Sequence, residues 1–108
     1  MFGSRQERAR DVPDENSHIA VVTSDVGRAY DVVDSVCDLS AQDAGFAGIE
    51  LQVVFRHVKN KLRARCIELG GDAVINCHFS QRAAHSGGLV ATQVIEIWAY
   101  GTVVRFRD

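Results

Sequence analysis

The pattern of apolar and polar positions divides the chain at His18. Residues 1–17 (MFGSRQERARDVPDENS) are polar and mixed in charge, and after the initiator only Phe2 and Val12 are large and apolar. Such a segment buries too little to offset its ordering entropy, so it reads as a flexible tail available to a protein partner. Ordered structure is expected from His18 onward as one domain over residues 18–108. His18–Thr23 (HIAVVT) is a β-branched run that predicts a strand. Ser24, Asp25 and Gly27 then supply turn chemistry. Tyr30–Leu39 (YDVVDSVCDL) predicts a second strand, in which the apolar residues do not alternate cleanly. One extra residue near Asp34–Ser35, a β-bulge, would account for that.

Ser40–Gly48 is rich in alanine, glycine and aspartate and reads as a loop entering a helix. The helix is expected over Ile49–Leu69, with Leu51, Phe55, Val58, Leu62, Cys66 and Leu69 on one stripe at three- and four-residue steps. Gly70-Gly71 ends it, because glycine adopts the left-handed conformation a helix terminus needs. Asp72–Phe79 (DAVINCHF) predicts a third strand, with Ala73, Ile75, Cys77 and Phe79 on one face and Val74, Asn76 and His78 on the other. Gln81–Gly88 reads as a polar loop, and Leu89–Phe106 as a very long strand bent near Gly101.

The order β-β-α-β-β predicts an α+β fold, one long helix packed on a mainly antiparallel sheet. Ile95, Ile97, Ala99, Gly101 and Val103 are expected to face the helix, the small Ala99 and Gly101 letting it approach closely. Val94, Glu96, Trp98, Tyr100, Thr102 and Val104 fall on the other face. That face, and the long edge of the last strand, are left uncovered in a single copy. An exposed apolar face and a free edge are liabilities. Val94, Trp98, Tyr100 and Val104 are therefore expected at a homo-oligomer interface.

Composition narrows the function. The chain has 108 residues, 46% hydrophobic and 24% charged, with formal net charge -2. That balance supports an ordinary core and gives no wholesale attraction to nucleic acid or anionic membrane. No apolar run approaches the roughly 20 residues of a membrane span. The charged N-terminal stretch lacks the apolar core of a secretory signal. Three cysteines without a C-x-x-C spacing form no disulfide framework, so reduced thiols and a cytoplasmic location are expected.

LGGDAVINCHF (Leu69–Phe79), followed by VIEIWAYGTVV (Val94–Val104), resembles the YbjQ-like family. Members of that family end a helix with a leucine-glycine pair, enter an Ala-Val strand and close on alanine-x-glycine-threonine-x-valine, which Ala99, Gly101, Thr102 and Val104 match. Thr23 before its turn and Tyr30-Asp31-Val32-Val33 fit the front of the pattern, so the likeness spans about His18 to Phe106. The short Leu39–Gly48 stretch departs from it, since family members carry an extra helix there. The resemblance implies an α+β subunit of a homopentamer, with no established activity. The family's label is heavy-metal binding.

Candidate chemistry is sparse. Thiolate and imidazole are suitable ligands for zinc or copper, but a site needs three or four converging groups. Cys77 and His78 are adjacent on a strand and so face opposite sides. Cys37, Cys66 and Cys77 all read as small core residues. If even positions pair with even across the last hairpin, Asn76, His78, Glu96 and Tyr100 share one face, with His78 near Glu96. The candidate ligands for a divalent transition metal are thus His78 and Glu96, joined by His85 or Cys77. The bland alternative is an interface hydrogen bond. His57 reads as surface, and Arg56, Lys59, Lys61, Arg63 and Arg65 as a solvated helix side without the interleaved aromatics of a nucleic-acid binder. No phosphate-loop, dinucleotide, nucleophile-elbow or H-E-x-x-H motif is present. The leading expectation is a non-catalytic oligomeric binding or scaffold domain; the alternative is a heavy-metal-binding protein.

Overall fold

A computed structural model describes residues 16–43, 50–85 and 93–108. Most of the proposed tail, residues 1–15, lies outside that range. The element order is β1 (Ala20–Val21), β2 (Tyr30–Asp43), α1 (Leu51–Glu68), β3 (Ala73–His85) and β4 (Gln93–Phe106). This is the expected β-β-α-β-β arrangement. The four strands form one sheet in the order β1-β3-β4-β2, with β1 parallel to β3 and the other pairs antiparallel.

Helix α1 crosses one face. Val54, Val58, Leu62 and Cys66 recur every four residues and are buried against Val36, Val74, Ile97, Ala99 and Val103. The stripe is rotated from the expected one. Val54 joins it, while Leu51 and Leu69 at the two ends are exposed. The helix ends as its glycines predict. Gly70 has φ 73°, its N–H donates to the Ile67 carbonyl at 3.0 Å, and the Gly71 N–H donates to the Cys66 carbonyl at 2.9 Å. Those two bonds satisfy carbonyls that a helix end otherwise leaves orphaned.

The sheet differs from the expectation in three ways. First, β2 and β3 are longer, because Ser40–Asp43 and Gln81–His85 stay paired with β4 in place of forming loops. Second, β4 is an interior strand, so the free edges belong to β2 and to the later part of β3. Third, a bulge interrupts β3 between Ile75 and His78, where Asn76 adopts φ 51°. Asparagine tolerates this left-handed conformation better than most residues. The extra residue swaps faces. Val74, Cys77 and Phe79 turn toward the helix, whereas Ala73 and Ile75 turn away and bury with Val104. A second bulge lies between Val32 and Asp34 on β2, slightly earlier than expected. It places Cys37 on the exposed face, not in the core.

The face opposite the helix is therefore covered at one end. Val22, Val26, Tyr30 and Phe106 pack on Ala73, Ile75 and Val104. The β1–β2 connection is held there by the Tyr30 hydroxyl, which donates to Asp25 at 2.9 Å, and by Arg28 over the Phe106 ring at 4.0 Å. Val104, expected at an oligomer interface, is fully buried within the chain by this connection.

Gly101 makes the β3 bulge sterically feasible. A Cβ there would lie 2.7 Å from Cys77 Sγ and 2.9 Å from Val74 Cγ1. The missing side chain accommodates β3's own side chains and not, as expected, the helix. Gly101→Ala should destabilise the fold by about 1–3 kcal/mol, the usual cost of overpacking. Gly27→Ala, with nothing within 4 Å of the added methyl, should change stability by less than about 0.5 kcal/mol. Urea denaturation midpoints of the two variants check both; equal midpoints would contradict the steric argument.

Candidate functional site

Beyond the covered end, the face opposite the helix is open, and the two bulges shape it. They flank β4 on either side of Gly101-Thr102 and leave an open groove of about 500 Å³. Ser35, Cys37, Asn76, His78, Tyr100 and Thr102 line it. Cross-strand register sets their neighbours. Tyr100 lies between Cys37 on β2 and His78 on β3, and the His78 and Tyr100 rings stack with centroids 5.2 Å apart. Trp98 lies between Leu39 and Ser80. Glu96 lies between Ala41 and Arg82, and its carboxylate is 3.6 Å from Arg82 Nε.

Even positions do pair with even, so His78, Glu96 and Tyr100 share this face. His78 is nevertheless not beside Glu96. Its partner is Tyr100, four residues away along β4, about 13 Å at strand rise. Ligands of one zinc ion each lie about 2 Å from it, so His78 and Glu96 of one chain do not share a metal. Cys77 points to the other side and is buried. Burial pushes its thiol up to about 11 and disfavours the thiolate that would bind metal. The side chain of His85 lies outside the described residues. Among the described residues, no three His, Cys, Asp or Glu side chains converge. The four candidate ligands therefore do not form one coordination sphere within a subunit.

The basic residues of α1 are engaged within the chain. Lys61 donates to the Leu39 carbonyl at 2.7 Å, Arg65 pairs with Asp38 at 3.3 Å, and Lys59 sits 5.4 Å from the Phe55 ring. Arg63, expected on a solvated side, is only 7% exposed. It donates to the Ile19 carbonyl at 2.9 Å and to Asn60 Oδ1 at 3.0 Å, tying α1 to the start of β1. A smaller cleft of about 300 Å³ opens where α1 begins, over the tilted Phe55–Phe79 pair. Leu51 and Ile97 complete its apolar lining, with Gln52, Ser80 and Gln81 at its polar side.

The open face thus carries exposed aromatic rings and small polar groups. Among the described residues it lacks a nucleophile hydrogen-bonded to a base. Sequence reasoning missed Cys37 as part of it. The available signal was the parity of Ser35, Cys37, Leu39 and Ala41 once the bulge is placed at Val33.

No family model matches the sequence, and no curated protein matches it either. Among solved structures, the chain is similar to a protein of unknown function from Pediococcus pentosaceus, described as belonging to the DUF74 family, which is the YbjQ-like family. The TM-score is 0.72, with 22% identity over 82% of this chain and 98% of that one. At that identity the likeness establishes the shared α+β fold.

Exposure orders the three thiols. Cys37 should be the thiol that a chromogenic disulfide reagent titrates in the folded protein. Cys66 and Cys77, buried and with raised pKa, should react only in denaturant. Cys37→Ser should remove the native-state reaction; persistence of that reaction would place a buried thiol at the surface.

Proposed function

We propose that the chain is a YbjQ-like, non-catalytic binding scaffold that works as a homo-oligomer, assembled through the open face of its sheet. The observation that carries the reading is the row of large side chains on that face. Trp98 is 39% and Tyr100 53% exposed, side by side on one face of the central strand. Contiguous exposed apolar surface on a small domain marks an interaction site, and aromatic residues are the usual anchors of such sites. A chain of this length also gains from association, because it buries a modest share of its surface alone. The motifs at Leu69–Phe79 and Val94–Val104, with the fold likeness, support the family assignment. Five copies is the number that the family likeness implies. The absence of a nucleophile–base pair on the face, among the described residues, supports a binding role over catalysis.

Native mass spectrometry of the purified protein should return a discrete oligomer without stoichiometric metal. One metal per subunit or per ring, lost at acidic pH as histidine protonates, would favour metal binding over the scaffold reading. Trp98→Glu should weaken association by about 2 kcal/mol or more, roughly 30-fold in dissociation constant. It should also speed the reaction of Cys37, which shares the covered face. An intact oligomer carrying Trp98→Glu would remove the open face from the interface.

A further inference from the structure

The row of side chains that crosses the open face at Tyr100 is uneven. His78 on β3, Tyr100 on β4 and Cys37 on β2 are register partners on that face. Neighbouring strands lie about 4.8 Å apart. The His78 and Tyr100 rings stack at nearly that spacing, with 5.2 Å between centroids and 18° between planes. Both rings therefore stand upright on the sheet, since flat rings this close would overlap. One face of Tyr100 is covered by His78. The other is turned toward Cys37, whose exposed side chain ends at its sulfur. The third place in the row is thus a ledge, with a thiol at its base and an aromatic ring as its wall. It is open on the outer side because β2 is an edge strand.

Small polar groups surround the ledge. Ser35 and Thr102 face each other in the next row, and Asn76 lies across β4 from Ser35 at the β3 bulge. Among the described residues, no hydrogen bond engages the side chains of Ser35, Asn76 or Thr102. Two hydroxyls and an amide can both donate and accept at the edge of a ligand. Asn76 is held at φ 51°, and backbone held in a sparsely populated region concentrates at ligand sites. No lysine, arginine, aspartate or glutamate lines the groove, so it offers no counter-charge to a phosphate or a carboxylate. Ser35 and Cys37 also line a depression of about 380 Å³ on the helix side, where Arg65 is already paired with Asp38. The ledge is therefore reached around the β2 edge as well as from the open face.

We propose that this ledge is a ligand site for a planar, uncharged heteroaromatic compound, a small molecule of free-nucleobase chemistry. Its ring extends the His78–Tyr100 stack over Cys37, while Ser35, Thr102 and Asn76 meet its edge. The face of an aromatic ring accepts any planar π-system. The small polar groups then select a ring with donors and acceptors, because a hydrocarbon would leave them unpaired. The groove, about 500 Å³, has the size of a small-molecule site. The proposal gives the scaffold reading a ligand class. All the groups it uses belong to one subunit, so it stands or falls separately from association.

Adenine is the probe, with cyclohexanol as a nonplanar control. Ligand-observed NMR titration of the full chain should show saturable binding of one adenine per subunit, its ring protons shifted upfield by Tyr100, and no binding of cyclohexanol. Tyr100→Ala should weaken binding at least ~5-fold, the loss of one stacking contact. Cys37→Phe puts the chain's own ring on the ledge and should abolish binding with an unchanged circular dichroism spectrum. General stickiness of an aromatic face would instead rise with the added ring. Adenine should also slow the reaction of wild-type Cys37 with the disulfide reagent, which decides the matter should Cys37→Phe not fold. Absence of saturable binding at millimolar adenine, equal binding of cyclohexanol, undiminished binding by folded Tyr100→Ala or Cys37→Phe, or a Cys37 reaction indifferent to adenine would overturn the site. A monomeric wild type that binds adenine would remove the oligomeric reading alone, and an oligomer that does not would remove the ligand site alone.

Discussion

The hydrogen at the α-carbon of Gly101, in place of a side chain, is the constraint on which the sheet depends. Val74 and Cys77 fold into the space beside it, and β3 can then carry an extra residue at Asn76. That residue exchanges the faces of everything after it. Ala73 and Ile75 go outward to the small cluster under the β1–β2 connection, and Cys77 and Phe79 go inward to the helix. His78 emerges on the open face, stacked on Tyr100. The two hydrophobic clusters and the groove are thus outcomes of one packing relation between neighbouring strands.

The sheet is covered by the helix on one face and only at one end on the other. Its helix supplies hydrophobic cover and also polar restraint. Arg63 is buried to hold Ile19, while Lys61 and Arg65 reach over to β2. Basic groups that a sequence reader would offer to an anionic ligand are therefore committed within the chain. The groove on the open face is instead lined by aromatic rings and small polar side chains.

Much of this was legible in residue spacing. The helix and its Gly70-Gly71 terminus were fixed by four-residue periodicity and by the φ that glycine alone adopts cheaply. The helix-facing set Ile95, Ile97, Ala99 and Val103 followed from simple alternation. Other features depended on partners distant in sequence. QRAAH (Gln81–His85) looks like a loop because it is polar and short of apolar residues, yet β4 holds it extended, a case of sheet context overriding local preference. Cys37 was misplaced because its apolar neighbours suggested the core, whereas the β2 bulge at Val33 sets the parity that turns it to the exposed face. Parity placed His78 and Glu96 on one face correctly, but their separation along β4 is set by the hairpin register, which composition does not encode.

The interior position of β4 has a consequence for how the protein comes to exist. β2 pairs with β4 and not with any strand near it in sequence; Tyr30 meets Phe106, and Val36 meets Gly101. β3 likewise pairs along most of its length with β4. During synthesis from the N-terminus, β2 is made early and must wait, unpaired, until the strand that completes the sheet has left the ribosome. Loop closure over such separations is slow compared with local pairing, and unpaired strands with apolar residues are prone to wrong partners while they wait. The bonds from the Ser35 and Leu39 amides to the Asp34 and Asp38 carboxylates join adjacent residues, so their geometry needs no partner strand.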